Sequence, residues 1–198
     1  GPVAGLMLGG LVGVLLAAGR SSRLGRASDI SRLVPGSSVI TVPRLGRPGT
    51  RTWAPIATEV LGLGSGTVLV APPDRKADDA GRSAAHQLCA ALRSYGRDAH
   101  VVDHTVVPVD TVPAPEGRQR RSTVIVSSGA LTGEPGSVLA AGAGHVVLVV
   151  TPGTRQRALV DAVRRAAEVG ASIHGVVLLT RFALSGGRFM PALPRRST

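Results

Sequence analysis

The residues best placed to do chemistry follow a short apolar run, Thr67–Ala71, in the segment Pro72-Pro73-Asp74-Arg75-Lys76-Ala77-Asp78-Asp79-Ala80-Gly81-Arg82-Ser83. A loop between a strand and the next helix is where converging backbone N–H groups and a helix N-terminus can hold phosphate. A working cradle needs several glycines, a lysine that reaches the outer phosphates and a hydroxyl for magnesium. This loop has one glycine, and Asp78 and Asp79 would repel a triphosphate. Gly81-Arg82-Ser83 looks like a remnant of Gly-Lys-Ser, offset by about one residue from the helix that follows. Gly81, Arg82 and Ser83, with Asp103 closing a later apolar run, are therefore the candidate anion-binding or nucleotide-binding residues, in vestigial form. The competing reading is ordinary helix-start chemistry with a solvated arginine.

Other reactive residue types form no readable constellation. His86, His100, His104, His145 and His174 are scattered without an i, i+4 pair, which predicts no metal centre. Ser127-Ser128 has no base at recognisable spacing and no G-x-S-x-G elbow, so hydrolase chemistry is not expected. Cys89 is the only cysteine, which excludes a disulfide framework and fits a reducing compartment. Asp103 is as well explained as a turn or cap residue. Arg118, Arg120 and Arg121 fit a solvated face better than a contact surface.

The chain of 198 residues carries a formal charge of +11, almost all from arginine, since Lys76 is its only lysine. Such a balance suits nucleic acid or an anionic membrane. Trp53, Tyr95, Phe182 and Phe189 are its only aromatic residues, leaving little on which single-stranded bases could stack. The membrane is the favoured partner, and nucleic acid is not expected.

The elements around the candidate loop follow from periodicity. Ala85, Leu88, Cys89 and Leu92 fall at i, i+3, i+4 and i+7, which predicts a helix over about Arg82–Tyr95, closed by Gly96. Further β-branched runs at Ala99–Val102, Thr123–Val126, His145–Val150 and Ile173–Leu179 predict strands. A second amphipathic helix is expected over Thr154–Val169, with Leu159, Ala162, Val163 and Ala166 on one face, Thr154 as N-cap and Gly170 as its stop. Continuous apolar strands alternating with one-sided helices predict a three-layer α/β fold, a mostly parallel sheet covered by helices on both faces.

Ahead of this domain, Pro2–Gly19 is an uncharged run of eighteen residues followed by Arg20, Arg23 and Arg26. Its length and cationic flank predict one transmembrane helix with residues 20–198 in the cytoplasm. A signal peptide would carry its charges before the apolar run, and a buried Gly-rich helix is the remaining alternative. The expected layout is a transmembrane helix over 1–19, a connector with one short strand (Ser38–Val42) and a possible short helix (Ala54–Leu63) over 20–66, the α/β domain over 67–181 and a flexible tail over 182–198. Because the chain opens on Gly1, a preceding segment is expected.

Two segments then carry a family resemblance. Thr67–Asp103, ending LCAALRSYGRDAHVVD, resembles the first strand, P-loop helix and second strand of bacterial tyrosine kinases (BY-kinases) and their MinD/ParA-like relatives. HVVLVVTPGTRQRALVDAVRRAAEVGASIHGVVLLTR resembles the same family's last strand-helix-strand unit. The apolar run, its basic flank and VITVPRL resemble the exit from a polysaccharide chain-length-determinant domain. Together they cover most of residues 1–181, in layout more than in motifs.

The resemblance implies a P-loop NTPase-like fold and a bacterial inner-membrane location, and it identifies three departures. The Walker A lysine position falls on Gly81 or Arg82, the second carboxylate of an Asp-x-Asp motif on Thr105, and the Walker B aspartate on Ser127. The tail lacks the tyrosine cluster of such autokinases. These departures imply a pseudo-enzyme with no catalytic residues and no cofactor, ATP with Mg²⁺ being disfavoured. Its expected role is that of an interaction or oligomerisation module of a polysaccharide co-polymerase, with the membrane and either protein partners or itself to bind. An unconventional ATP-binding enzyme and a basic DNA-binding module related to partitioning ATPases are the alternatives.

Overall fold

A computed structural model describes residues 23–43, 50–64, 66–104 and 122–180, with Thr50 and Lys76 described only in their backbone. The strands are β1 (Ser38–Pro43), β2 (Gly66–Ala71), β3 (Asp98–Asp103), β4 (Ser122–Ser127), β5 (His145–Val150) and β6 (Ser172–Thr180). The helices are α1 (Ala27–Leu33), α2 (Ala54–Gly62), α3 (Asp78–Ser94), α4 (Glu134–Ala143) and α5 (Gln156–Glu168). Two 3-10 turns, Thr50–Trp53 and Arg75–Ala77, lead into α2 and α3.

All six strands pair in parallel in the order β1-β6-β5-β2-β4-β3. Strand alternation divides the core into two layers. Val68, Val70, Ile125, Val147 and Val177 face the layer of Trp53, α2 and α3, while Leu69, Val124, Val126, Leu148 and Val176 face that of α1, α4 and α5. The crossover from β2 runs one way with α3 above the sheet, and those from β4 through β6 run the other way with α4 and α5 below. Uniformly right-handed connections demand that exchange of faces. The three-layer α/β expectation therefore holds, with a wholly parallel sheet.

Apolar periodicity locates the long helices well. Ala85, Leu88, Cys89 and Leu92 are all buried, as are Leu159, Ala162 and Ala166, whereas Val163 is only partly so. Gly96 (φ +78°) and Gly170 (φ +73°) both take the left-handed conformation. Behind them Arg97 N–H donates to Leu92 O at 3.1 Å, and Ala171 N–H to Ala166 O at 2.9 Å, the bonds of a glycine-terminated helix. Thr154 does not cap α5, whose N-cap is Arg155. Its hydroxyl instead accepts from Thr151 N–H at 3.2 Å and closes the preceding turn.

The connector departs from expectation. Its strand is β1, paired along its whole length with β6, and α1 places Ile30 and Val34 in the core. Residues 23–43 and 50–62 are thus part of the domain's packing. Among the described residues no helix is long and apolar enough to cross a membrane. The expected span at 1–19, the arginines at 118, 120 and 121, and the tail at 182–198 lie outside the described residues.

Candidate functional site

β2 lies between β5 and β4, and the chain leaves β2 in one direction along the sheet and both neighbours in the other, so the crevice of this sheet opens at the carboxyl end of β2. The loop after β2 is tied to the loop after β4. Ser128 N–H donates to Val70 O at 3.3 Å, Leu131 N–H to Pro72 O at 2.9 Å, and the Thr132 hydroxyl to Pro73 O at 3.1 Å. Pro72 and Pro73 have no N–H to offer a ligand. The loop then tightens into the 3-10 turn, and α3 begins at Asp78.

That start lies four residues before the predicted one, and it corrects the placement of the candidate triplet. Gly81, Arg82 and Ser83 sit in the second turn of α3, past the free N–H groups of its terminus, and successive residues there point about 100° apart. Gly81 is buried, and a Cβ on it would stand 3.1 Å from Pro72 Cδ and 3.8 Å from Ser128 O. It allows close approach of helix and loop. Ser83 is exposed, and its hydroxyl accepts from Gln87 Nε2 at 3.2 Å.

Arg82 turns toward β3, where its Nε lies 2.8 Å from Asp103 Oδ2. The two side chains form an ion pair across α3 and β3. Of the four candidates, the structure joins only Arg82 and Asp103. Asp103 is in register with Ser127, which is fully buried with an unpartnered Oγ. Thr105, the third departure, lies outside the described residues.

Asp78 and Asp79 occupy the first turn of α3, where the helix dipole favours negative charge. The Asp78 carboxylate reaches the loop after β4, 3.8 Å from where a Cβ on Gly129 would stand. Its Oδ1 is buried without a hydrogen-bond partner. Burial pushes the Asp78 carboxyl above its ordinary range, and the nearby Arg75 only partly opposes that. Sequence reasoning marks Asp78 as repulsive to phosphate and misses that it stands at the helix start itself. The signal is the Asp-Asp pair preceding an alanine-rich helical run.

Beside this loop is an open groove of about 410 Å³ lined by Pro73, Asp74, Thr132 and the α5 residues Asp161, Arg164, Arg165 and Glu168. Its α5 charges pair with one another: Arg164 lies 3.3 Å from Asp161, and Arg165 lies 3.1 Å from Glu168.

At the opposite edge the sheet assembles a cluster that the sequence pattern does not show. His145 Nδ1 and His174 Nε2 lie 3.0 Å apart, and His174 Nδ1 is 3.9 Å from Glu59 Oε2. The other Glu59 oxygen accepts a short bond from the Ser38 hydroxyl. Burial, and then His145, lower the His174 pKa from its ordinary value, while Glu59 raises it. The two histidines are 29 residues apart and meet only because β5 and β6 pair. Among the described residues no group of three or more His, Cys, Asp or Glu side chains could hold a metal ion.

The class defined by these features is a six-stranded, all-parallel, three-layer α/β domain with its crevice at the end of β2. No protein-family model and no curated protein matches the chain. Six chains of solved structures do match. One is the crystal structure of the chimerical protein CapA2B2, similar at a TM-score of 0.58 over 79% of this chain and 99% of that one, with 12% identity. The likeness is one of fold.

Proposed function

We propose that this chain is a catalytically inactive relative of the bacterial tyrosine kinases, serving as an interaction or self-association module at a membrane. The observation that carries this reading is the start of α3. Where a phosphate cradle presents free N–H groups to an anion, this helix presents Asp78 and Asp79, and the two residues that open the loop are prolines. A triphosphate there would meet carboxylates where it needs cations, and phosphoryl transfer draws nearly all its rate from positioned cations and metal-bound carboxylates.

Two further features support the same reading. Arg82 is engaged with Asp103, and Ser127 stands in place of the magnesium-binding aspartate. The likeness to CapA2B2 supports the layout and says nothing of the chemistry. The membrane anchor, the inner-membrane location and a role in cell-surface polysaccharide synthesis or export rest on the apolar run and on the family resemblance.

Titration calorimetry of the full chain with ATP and Mg²⁺ tests the loss of chemistry, the expected result being no saturable heat. Micromolar binding that disappears in Arg82→Ala would replace the reading with that of an unconventional nucleotide-binding enzyme. Cross-linking of the full chain in membranes tests the module. Recovery of monomer alone, with no protein partner, counts against it.

A further inference from the structure

Four exposed arginines gather where the chain enters the domain, and local electrostatics opposes the placement of three, Arg23, Arg155 and Arg157. Arg23 and Arg155 form an antiparallel bridge, fixed by a 3.0 Å hydrogen bond from Leu24 N–H to Thr154 O. Residues directly opposite each other in such a pair project from the same face, where like charges repel. Both side chains are exposed. Arg155 is also the N-cap of α5, and Arg157 lies in its first turn, which contains no acidic residue. Cations are unfavourable at that end of a helix. Arg26 holds the same position at α1, where Asp29 in the first turn offsets it. Arg157 has one loose partner, Asp161 at 3.8 Å, but its side chain is 89% exposed. Local rules broken together at one surface mark a site whose compensation comes from elsewhere.

We propose that Arg23, Arg26, Arg155 and Arg157 form a docking face for the anionic head groups of a phospholipid bilayer, holding the domain against the membrane in a fixed orientation. The inference rests on the reading of residues 2–19 as the anchor. That uncharged run ends at Gly19, four residues before Arg23. Four residues of extended chain reach at most about 14 Å. The face is thereby confined to the head-group layer or its immediate edge, where anionic lipid attracts each arginine. A free polyanion has no such confinement. Leu24 is buried in the core of α1, α4 and α5, so packing begins one residue after Arg23.

The test uses the full chain in nanodiscs of phosphatidylcholine, with and without phosphatidylglycerol, read by hydrogen exchange of the backbone at 23–34 and 151–158. Phosphatidylglycerol is expected to slow exchange in both segments, and Arg23→Gln with Arg155→Gln to reduce that preference by about tenfold or more. A charge-matched pair on the opposite face of the sheet, Arg51→Gln with Arg93→Gln, is expected to keep it. Equal exchange in the two lipids overturns the proposal, as does equal loss in both double variants. Protection of the same segments by duplex DNA without lipid overturns it in favour of nucleic acid. The anchor is scored separately, by resistance to alkaline extraction from neutral vesicles. Extraction there with phosphatidylglycerol-dependent flotation retained would remove the anchor and leave the arginine face standing.

Discussion

The Arg82–Asp103 pair gives the sharpest test of what became of the cradle, because an arginine held by a carboxylate is not free to meet phosphate. The perturbation is a double-mutant cycle with Arg82→Ala, Asp103→Ala and the double variant. The closest atoms are 2.8 Å apart, and the two side chains are 43% and 24% exposed. Unit charges about 4 Å apart interact by about 1 kcal/mol in water and about 4 kcal/mol at an effective dielectric constant of 20. With Arg82 nearly half exposed, solvent screening leaves a coupling of about 1 kcal/mol, at the upper end for exposed pairs. Urea unfolding of the four proteins at low salt measures it, and the coupling should shrink with added salt. The cycle is then repeated with ATP and Mg²⁺, and the coupling should not change. If it collapses when nucleotide is added, Arg82 leaves Asp103 for phosphate, and the inactive-cradle reasoning fails. A coupling indistinguishable from zero in both conditions would instead remove the clamp between α3 and β3.

Three further outcomes are expected. Gly136→Ala should lower stability by about 1–3 kcal/mol in chemical denaturation, since a Cβ there would run into the Ala130 carbonyl oxygen at the start of α4; a neutral effect would contradict that packing. Burial lowers the His174 pKa and Glu59 only partly offsets it, so the unfolded chain binds this proton more readily than the folded one. The stabilisation is present above the unfolded value near 6.5 and is lost as pH falls through the lower folded value; a proton-NMR titration placing His174 above the ordinary histidine value would reverse the sign. The buried Cys89 thiol, pushed up by burial and bonded to Ala99 O at 3.2 Å, should resist thiol reagents until urea unfolds the chain; rapid labelling of native protein would show an open α3–β3 contact.

How far the sequence can be read depends on the range of the interaction. Leu88 and Leu92 on α3, and Leu159 and Ala166 on α5, lie on buried faces at helical spacing, and Gly96 and Gly170 stop the chain where only a left-handed residue fits. These are local signals. α4 escapes periodicity because EPGSVLAAGA has little amphipathic contrast and contains two glycines. The start of α3 is hard to place because Asp78 and Asp79 read as a polar loop, although acidic residues belong in a first helical turn. His145 and His174 are unreadable as a pair because nothing in either strand specifies its neighbour. The connector is underestimated for the same reason: Ser38–Pro43 shows itself as a strand, but its place beside β6 is a property of the whole sheet.

The placement of the connector bears on the proposed role as an interaction module. A module joined to its anchor by a flexible tether samples many orientations, and its encounters depend mainly on effective concentration. In this chain Leu24 is already core, the Arg23–Arg155 bridge fixes the entry strand to the turn before α5, and β1 extends the sheet beyond β6. Residue 23 is thereby tied to the turn that follows β5, at the same end of the sheet as the Asp78 loop. Pro72, Gly81 and the Ser128 carbonyl are packed into a fixed surface, and the charges on α5 pair with one another rather than waiting for a small anion. The surface is close-packed at the end of β2, carries paired charges on α5 and is cationic at Arg23 and Arg155. Under the proposed function, those properties suit recognition of a protein partner better than turnover of a diffusible substrate.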